Sequence, residues 1–268
     1  MQLQENDRIS IELGDDGVAQ VRLTRPDKMN ALDPQMFERI IEAGHALHEM
    51  KGLRAVVLSG EGKSFCAGLD TSSFGAEPSP DAPPLTERTY GNSNKFQQVA
   101  MQWRKLQVPV IAAVHGVCFG GGLQIASGAD IRVVTPDARL AIMEMKWGLV
   151  PDMAGFFLWR GLVRDDVLRE LTYTNRQFTG EEAREYGLAT FVDTDPVARA
   201  TAIASEIANR NPHAIQGAKR LANAMVELEG DAILMEESIE QAAVMRTKNQ
   251  IEAVMAGMAK RAPAFDDV

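Results

Sequence analysis

The feature that most constrains the fold of this chain is a strand-then-glycine unit that occurs twice. Val110–Val114 reads as a fully buried strand. It passes through His115-Gly116 into Gly120-Gly121-Gly122, and the apolar helical pattern of Leu123, Ile125 and Ala126 follows. Ala55-Val56-Val57-Leu58 is a second uninterrupted apolar strand, and it leads to Ala67-Gly68. Continuous apolar strands are buried on both faces, so other layers must cover them above and below. Glycine lets another group approach the main chain closely, and glycines before a helix leave bare N–H groups at the positive end of its dipole. Such a place suits a carboxylate, a phosphate or an oxygen that gains negative charge in a reaction. Two such turns on neighbouring strands can aim two N–H groups at one point, as an oxyanion hole requires.

Around these units the chain alternates strand and helix. Ile9–Leu13 and Val18–Leu23 alternate apolar and polar residues about Asp15-Asp16-Gly17, as in a β-hairpin. Asp33-Pro34 opens a helix as N-cap and first residue. Residues 71–94, with Pro78, Pro80, Pro83 and Pro84, read as a mobile loop within one domain, because a helix over about 95–105 follows. Short strands are expected at 131–134 and 140–142. From about residue 155 the pattern is helical, with a capping box at Thr179-Gly180-Glu181-Glu182 and helix starts at Asp195-Pro196 and Asn211-Pro212. The expected division is an α/β core over 1–200 that holds the site, and a helical region over 201–268 for oligomerisation. Met235, Met245, Met255 and Met258 read as packing or subunit interface.

Composition removes several classes of function. Twenty-eight basic against 37 acidic residues leave a net charge of −9, which argues against a nucleic-acid partner. Cys66 and Cys118 are too far apart in sequence for a metal knuckle, and the reading is a reducing, cytoplasmic setting. Met1 to Asn6 lacks the build of a signal peptide, and no apolar run approaches the roughly 20 residues that cross a bilayer. His45, His48, His115 and His213 are scattered, so no metal site is expected. His115 is the one nearest the glycines.

Four segments, in order and spacing, resemble the crotonase superfamily, also called the enoyl-CoA hydratase/isomerase family. They are Arg25-Pro26-Asp27-Lys28-Met29-Asn30-Ala31-Leu32, Ser64-Phe65-Cys66-Ala67-Gly68-Leu69-Asp70, residues 116–130, and residues 138–155 with Glu144 and Gly148-Leu149-Val150-Pro151-Asp152. The resemblance implies an α/β spiral of ββα repeats with trailing helices that form a homotrimer, commonly two to a hexamer. It implies an acyl-CoA thioester substrate, as in fatty acid metabolism, with coenzyme A entering as part of the substrate and no separate cofactor. By position it makes the N–H groups of Ala67 and Gly121 the oxyanion hole. Lys28, Met29 and Ala31 would flank the coenzyme together with Ala67, Gly68, Leu69 and Asp70, with Lys28 meeting a phosphate. The chemistry is consistent: a thioester acidifies its α-carbon, and the enolate formed collects charge on the carbonyl oxygen, where two N–H donors stabilise it.

The carboxylates then set the reaction. Hydratases of the family use two glutamates, and this chain has Gln124 at one position and Glu144 at the other. A neutral amide can hold water but cannot exchange a proton at neutral pH. Glu144 stands among Ile142, Met143, Met145 and Trp147, where burial would raise its pKa. Asp152 matches an Asp of family members that move double bonds in dienoyl-CoA. As the N-cap of a helix it would be held ionised and serve as base. The reading is therefore Glu144 with Asp152 in double-bond isomerisation. The alternatives are a true hydratase in which Gln124 positions the water, another enolate reaction, and a non-catalytic acyl-CoA-binding relative.

Overall fold

A computed structural model describes residues 8–73 and 82–268 of the chain. Met1–Asn6, Pro78 and Pro80, on which parts of the sequence reading fall, lie outside the described residues.

The hairpin forms as expected: β1 (Ile9–Leu13) and β2 (Val18–Leu23) pair antiparallel, Ile11 opposite Val21. Every later pairing of the main sheet is parallel. β3 (Ala55–Gly60) joins β2, β4 (Val110–Val114) joins β3, β6 (Ile131–Val134) joins β4, and β8 (Phe191–Val192) joins β6. Alternate residues of the central strands serve the two faces. Val56 and Leu58 enter one core with α1 (Pro34–His48) and α2 (Lys95–Lys105). Ala55 and Val57 meet Ala200 and Ala204 of α7 (Pro196–Ala208) on the other. Burying each large apolar side chain here contributes roughly 1.5–3 kcal/mol relative to exposure.

A second, smaller layer is what the apolar pattern did not reveal. After the turn at His115-Gly116 the chain forms β5 (Val117–Phe119), which pairs in parallel with β7 (Arg139–Ala141), Cys118 opposite Leu140. The short strand expected at 140–142 thus lies one residue earlier. Single bridges extend this layer, Cys66 to Cys118 and Leu32 to Leu69. Each repeat is a strand of the main sheet, a tight turn, a short piece of the second layer and a helix, which gives the α/β spiral of ββα units. α3 (Gly121–Ser127) follows β5 directly, and all its residues are buried.

The helical caps are as expected. Asp33, Thr179 and Asn211 each accept a main-chain N–H at their helix start, and Thr179 with Glu182 completes a capping box. The boundary at 200/201 is corrected: it falls inside α7, whose Ala200 and Ala204 belong to the sheet's core. What trails the core is α8 (Pro212–Ala224), α9 (Gly230–Val244) and α10 (Lys248–Ala259). Met235, Met245, Met255 and Met258 are all exposed, so they do not pack within the chain. Among the described residues no helix is long and apolar enough to cross a membrane, and no group of three or more His, Cys, Asp or Glu could hold a metal ion.

Candidate active site

The two glycine turns meet. A Cβ on Gly68, whose φ is +86°, would fall 2.7 Å from the Phe119 carbonyl oxygen and 3.7 Å from the Gly121 nitrogen. One on Gly122 would fall 2.5 Å from the Cys66 carbonyl oxygen. Only hydrogen fits at these contacts, so glycine there sets the approach of the two turns. Gly120, at φ +50°, bends the chain into α3, and its N–H is taken by the Ala141 carbonyl at 2.9 Å. The N–H of Gly121 is in the first turn of α3 and finds no acceptor among the described residues.

The second donor is not the residue expected. The Ala67 N–H is donated to the Met29 carbonyl at 2.9 Å, so it is not available to an oxyanion. The Gly68 N–H is directed at the Cys66 thiol, and the Asp70 N–H goes to the Leu32 carbonyl at 3.0 Å. Of the four, the Leu69 N–H alone finds no acceptor among the described residues, and Leu69 lines the same cavity as Gly121. Leu69 therefore replaces Ala67 as the candidate second donor beside Gly121.

That cavity has a volume of about 640 Å3, the size of a small-molecule site. The two glycine turns, Glu144 and Asp152 all line it. Glu144 begins a 3₁₀ turn after β7, Glu144–Trp147. Its Oε1 accepts from Gln124 Nε2 at 2.6 Å, while Oε2 is buried without a hydrogen-bond partner. Burial, first, and the charge of Asp152 push the Glu144 carboxyl up; the Gln124 hydrogen bond and nearby main-chain N–H groups offset part of this. The expected rise is therefore present. No ion pair joins Glu144 to Lys146, whose ammonium instead sits 5.0 Å from the centre of the Trp147 ring.

Asp152 is corrected as a cap. α4 (Gly155–Trp159) starts three residues later with Ala154 as its N-cap, so no helix dipole holds Asp152 ionised. Although one side of Asp152 is open to solvent, burial on the other raises its carboxyl.

Gln124 is corrected as a ligand-facing residue. It is fully buried, and its Oε1 accepts from the N–H groups of Met153 at 3.0 Å and Gly155 at 2.8 Å while Nε2 serves Glu144. With its oxygen and one amide hydrogen engaged within the protein, it does not line the cavity. It braces the Glu144 turn against the turn that carries Asp152.

The segment expected to flank coenzyme A does lie beside the oxyanion turn. Ala67 N–H to Met29 and Leu32 N–H to the Gly68 carbonyl, 2.8 Å, tie the two together. Lys28 and Met29 are exposed and Ala31 is buried; none of the three lines the cavity wall. Asp70 is no free ligand either, since its carboxylate is held by Arg25 at 2.6 Å and by Ser72, which lowers its pKa to about 2. His115 meets the Gly62 carbonyl away from the site. Leu158 and Trp159 are buried, Trp159 with its N–H on Ser127, while Phe157 is half-buried and Phe156 exposed; none of the four lines the cavity.

Sequence reasoning missed most of the apolar wall: Phe37, Phe96, Phe119, Met143, Trp147 and Met153. Phe119 beside the glycines and Trp147 three places past Glu144 were the available signals. Arg139, over the Phe119 ring and bonded to Gln177, was also missed.

An enoyl-CoA hydratase/isomerase family model matches residues 14–268. The mitochondrial Delta(3,5)-Delta(2,4)-dienoyl-CoA isomerase of Mus musculus is 32% identical over 257 residues, covering 91% of this chain and 77% of that protein. The (E)-benzylidenesuccinyl-CoA hydratase of Thauera aromatica is 29% identical, covering 92% of this chain and 95% of that protein. The crystal structure of an enoyl-CoA hydratase from Bacillus anthracis superposes with a TM-score of 0.87 at 27% identity, over 96% of this chain and 98% of that one.

Proposed function

The chain belongs to the enoyl-CoA hydratase/isomerase family and is an enzyme of that acyl-CoA chemistry; from that premise we propose that it moves the double bonds of a dienoyl-CoA thioester. The observation that carries this reading is the pair Glu144 and Asp152 in one cavity with the Leu69 and Gly121 N–H groups, while Gln124 is withdrawn into a brace.

In the conversion of a 3,5-dienoyl to a 2,4-dienoyl thioester, a proton leaves C2. The electron pair spreads over C4, C6 and the thioester oxygen, and a proton added at C6 completes the shift. Two N–H donors stabilise the charge that reaches the oxygen, and loss of one such donor typically costs about 3–4 kcal/mol of barrier. Burial raises both carboxyls, and Glu144, the more enclosed of the two, is raised also by the Asp152 charge, so this reading gives Glu144 the role of acid. Asp152 accordingly takes the C2 proton, and Glu144, on the same cavity, delivers a proton to C6. The coenzyme A of the substrate is the one cofactor this proposal calls on.

Self-association as a trimer or hexamer belongs to the same reading. It is supported by exposed apolar side chains along α9 and α10, among them Leu234, Ile239, Ile251 and Met255.

The test is incubation of the protein with a 3,5-dienoyl-CoA and, separately, a trans-2-enoyl-CoA, with products identified by NMR. Formation of the 2,4-dienoyl-CoA as the faster reaction is expected. Hydration of the enoyl-CoA with no dienoyl conversion would overturn the reading.

A further inference from the structure

The side chain of Arg25 joins both sides of the oxyanion turn. Its Nη1 donates to Asp70 Oδ2 at 2.6 Å and to the Ala31 carbonyl at 3.0 Å, and its Nη2 lies 3.5 Å from Asp33 Oδ2. The three side chains are only 12–14% exposed, so solvent screens these contacts little. Asp33 is already fixed as the cap of α1, through the Met36 N–H at 2.7 Å, and by Arg8. Arg25 therefore ties Asp70 to an anchored point.

Leu69 is the residue before Asp70, and Leu32 brackets it: the Leu32 N–H goes to the Gly68 carbonyl and the Leu32 carbonyl receives the Asp70 N–H. The Leu69 N–H itself has no acceptor among the described residues. Asp70 Oδ1 accepts from the N–H and hydroxyl of Ser72 while Oδ2 takes Arg25, so the carboxylate holds the exit from the turn as well as its side. The segment on the other side of the clamp carries two consecutive left-handed residues, Met29 at φ 50° and Asn30 at φ 55°. That conformation is unusual for Met and persists where surrounding bonds over-determine it. Arg25 supplies several of these bonds, donating its own N–H to Asn30 Oδ1 at 2.8 Å and accepting the Asn30 N–H at 2.9 Å.

We infer that Arg25 is a positioning residue for the oxyanion hole: its guanidinium holds Asp70, and with it the neighbouring Leu69 N–H, where the thioester oxygen sits. The inference rests on the proposed use of Leu69 and Gly121 as the two donors. Lysine in place of Arg25 would keep the charge but not two directed bonds from one planar group.

The test reads the hole directly, through the carbonyl band of octanoyl-CoA labelled with 13C at the thioester carbon and bound to the protein. In the wild type the infrared band should fall below that of the free thioester. In Arg25→Met and Asp70→Asn it should return at least halfway to the free value, with partial recovery in Arg25→Lys. kcat for dienoyl-CoA isomerisation should fall about 10- to 100-fold in both variants, with KM within about threefold. Should Arg25→Met fail to fold, Asp70→Asn still breaks the anchor and leaves the remaining Arg25 bonds in place. A full wild-type band shift and unchanged kcat in the folded variants would overturn the inference. Absence of any shift in the wild type would overturn it together with the two-donor hole. A band shift that depends on Arg25 in a protein inert to dienoyl-CoA would support it and overturn the reaction reading alone.

Discussion

Gln124 decides which oxygen of Glu144 is free to carry a proton: its Nε2 donates to Oε1 at 2.6 Å, and Oε2 is left buried and unpartnered. The same side chain receives the Met153 and Gly155 N–H groups, so the spacing of Glu144 and the Asp152 turn is set through one amide.

Glu144→Gln keeps the shape of the cavity and removes its exchangeable proton. Isomerisation should fall by about 10²–10⁴-fold, the usual contribution of a positioned acid or base. Binding of a saturated acyl-CoA, followed by calorimetry, should stay within a few-fold of wild type. Retained turnover would remove Glu144 from the mechanism.

Asp152→Asn separates the two reactions open to the family. It should stop dienoyl isomerisation to a similar degree, because the amide cannot accept the C2 proton. A rate of dienoyl conversion equal to wild type, measured by product NMR, would show that Glu144 acts alone.

Gln124→Glu puts a second carboxylate 2.6 Å from Glu144. Two carboxylates so close share one proton, which raises the pair's apparent pKa. The alkaline limb of the kcat/KM profile for isomerisation, where the Glu144 proton is lost, should move to higher pH. Hydration of a trans-2-enoyl-CoA should rise, since a group able to exchange a proton now stands where the amide was. Profiles identical to wild type for both substrates would show that residue 124 does not select the reaction.

The raised Glu144 carboxyl also predicts a stability change. A carboxyl that ionises less readily folded than unfolded gives the folded state more bound protons. Stability therefore falls as pH rises from the ordinary carboxylate range through the raised folded value. At pH 8 Glu144→Gln should melt higher than wild type, and the gain should vanish near pH 4. Asp70 runs the other way: its pKa, lowered to about 2, contributes stability above the ordinary carboxylate value that is lost as pH falls toward 2. Thermal melts across pH check both signs.

Gly122→Ala probes the seam between the turns. Its Cβ would lie 2.5 Å from the Cys66 carbonyl oxygen, a main-chain atom that cannot rotate away. Urea unfolding should show a loss of about 1–3 kcal/mol, with turnover reduced through the displaced oxyanion donors. Stability equal to wild type would mean the two turns are held apart by something other than this contact.

What was legible in the sequence was local or periodic. Asp33-Pro34 and the Thr179–Glu182 box are closed within four residues, and the central strands announced themselves by continuous apolarity. The free N–H was not legible, because it depends on a distant partner. Ala67 loses its donor to the carbonyl of Met29, which reaches it only through the left-handed backbone at Met29 and Asn30. Likewise Gln124 stands two places past the glycines in sequence, yet the N–H groups that claim it come from Met153 and Gly155. β5 is three residues long and follows a glycine turn, too short for its alternation to be read.

The bridge between Cys66 and Cys118 places the chain's two thiols directly behind the oxyanion turns, both fully enclosed. Burial pushes Cys66 up to about 12 and Cys118 well above its ordinary value. Thiolate, the form that reacts with electrophiles, is thus scarce at both. A dye that reports sulfhydryl groups in the native enzyme will register coenzyme A freed from a thioester and leave the protein silent, so hydrolysis as a side reaction can be followed continuously without blocking the cysteines.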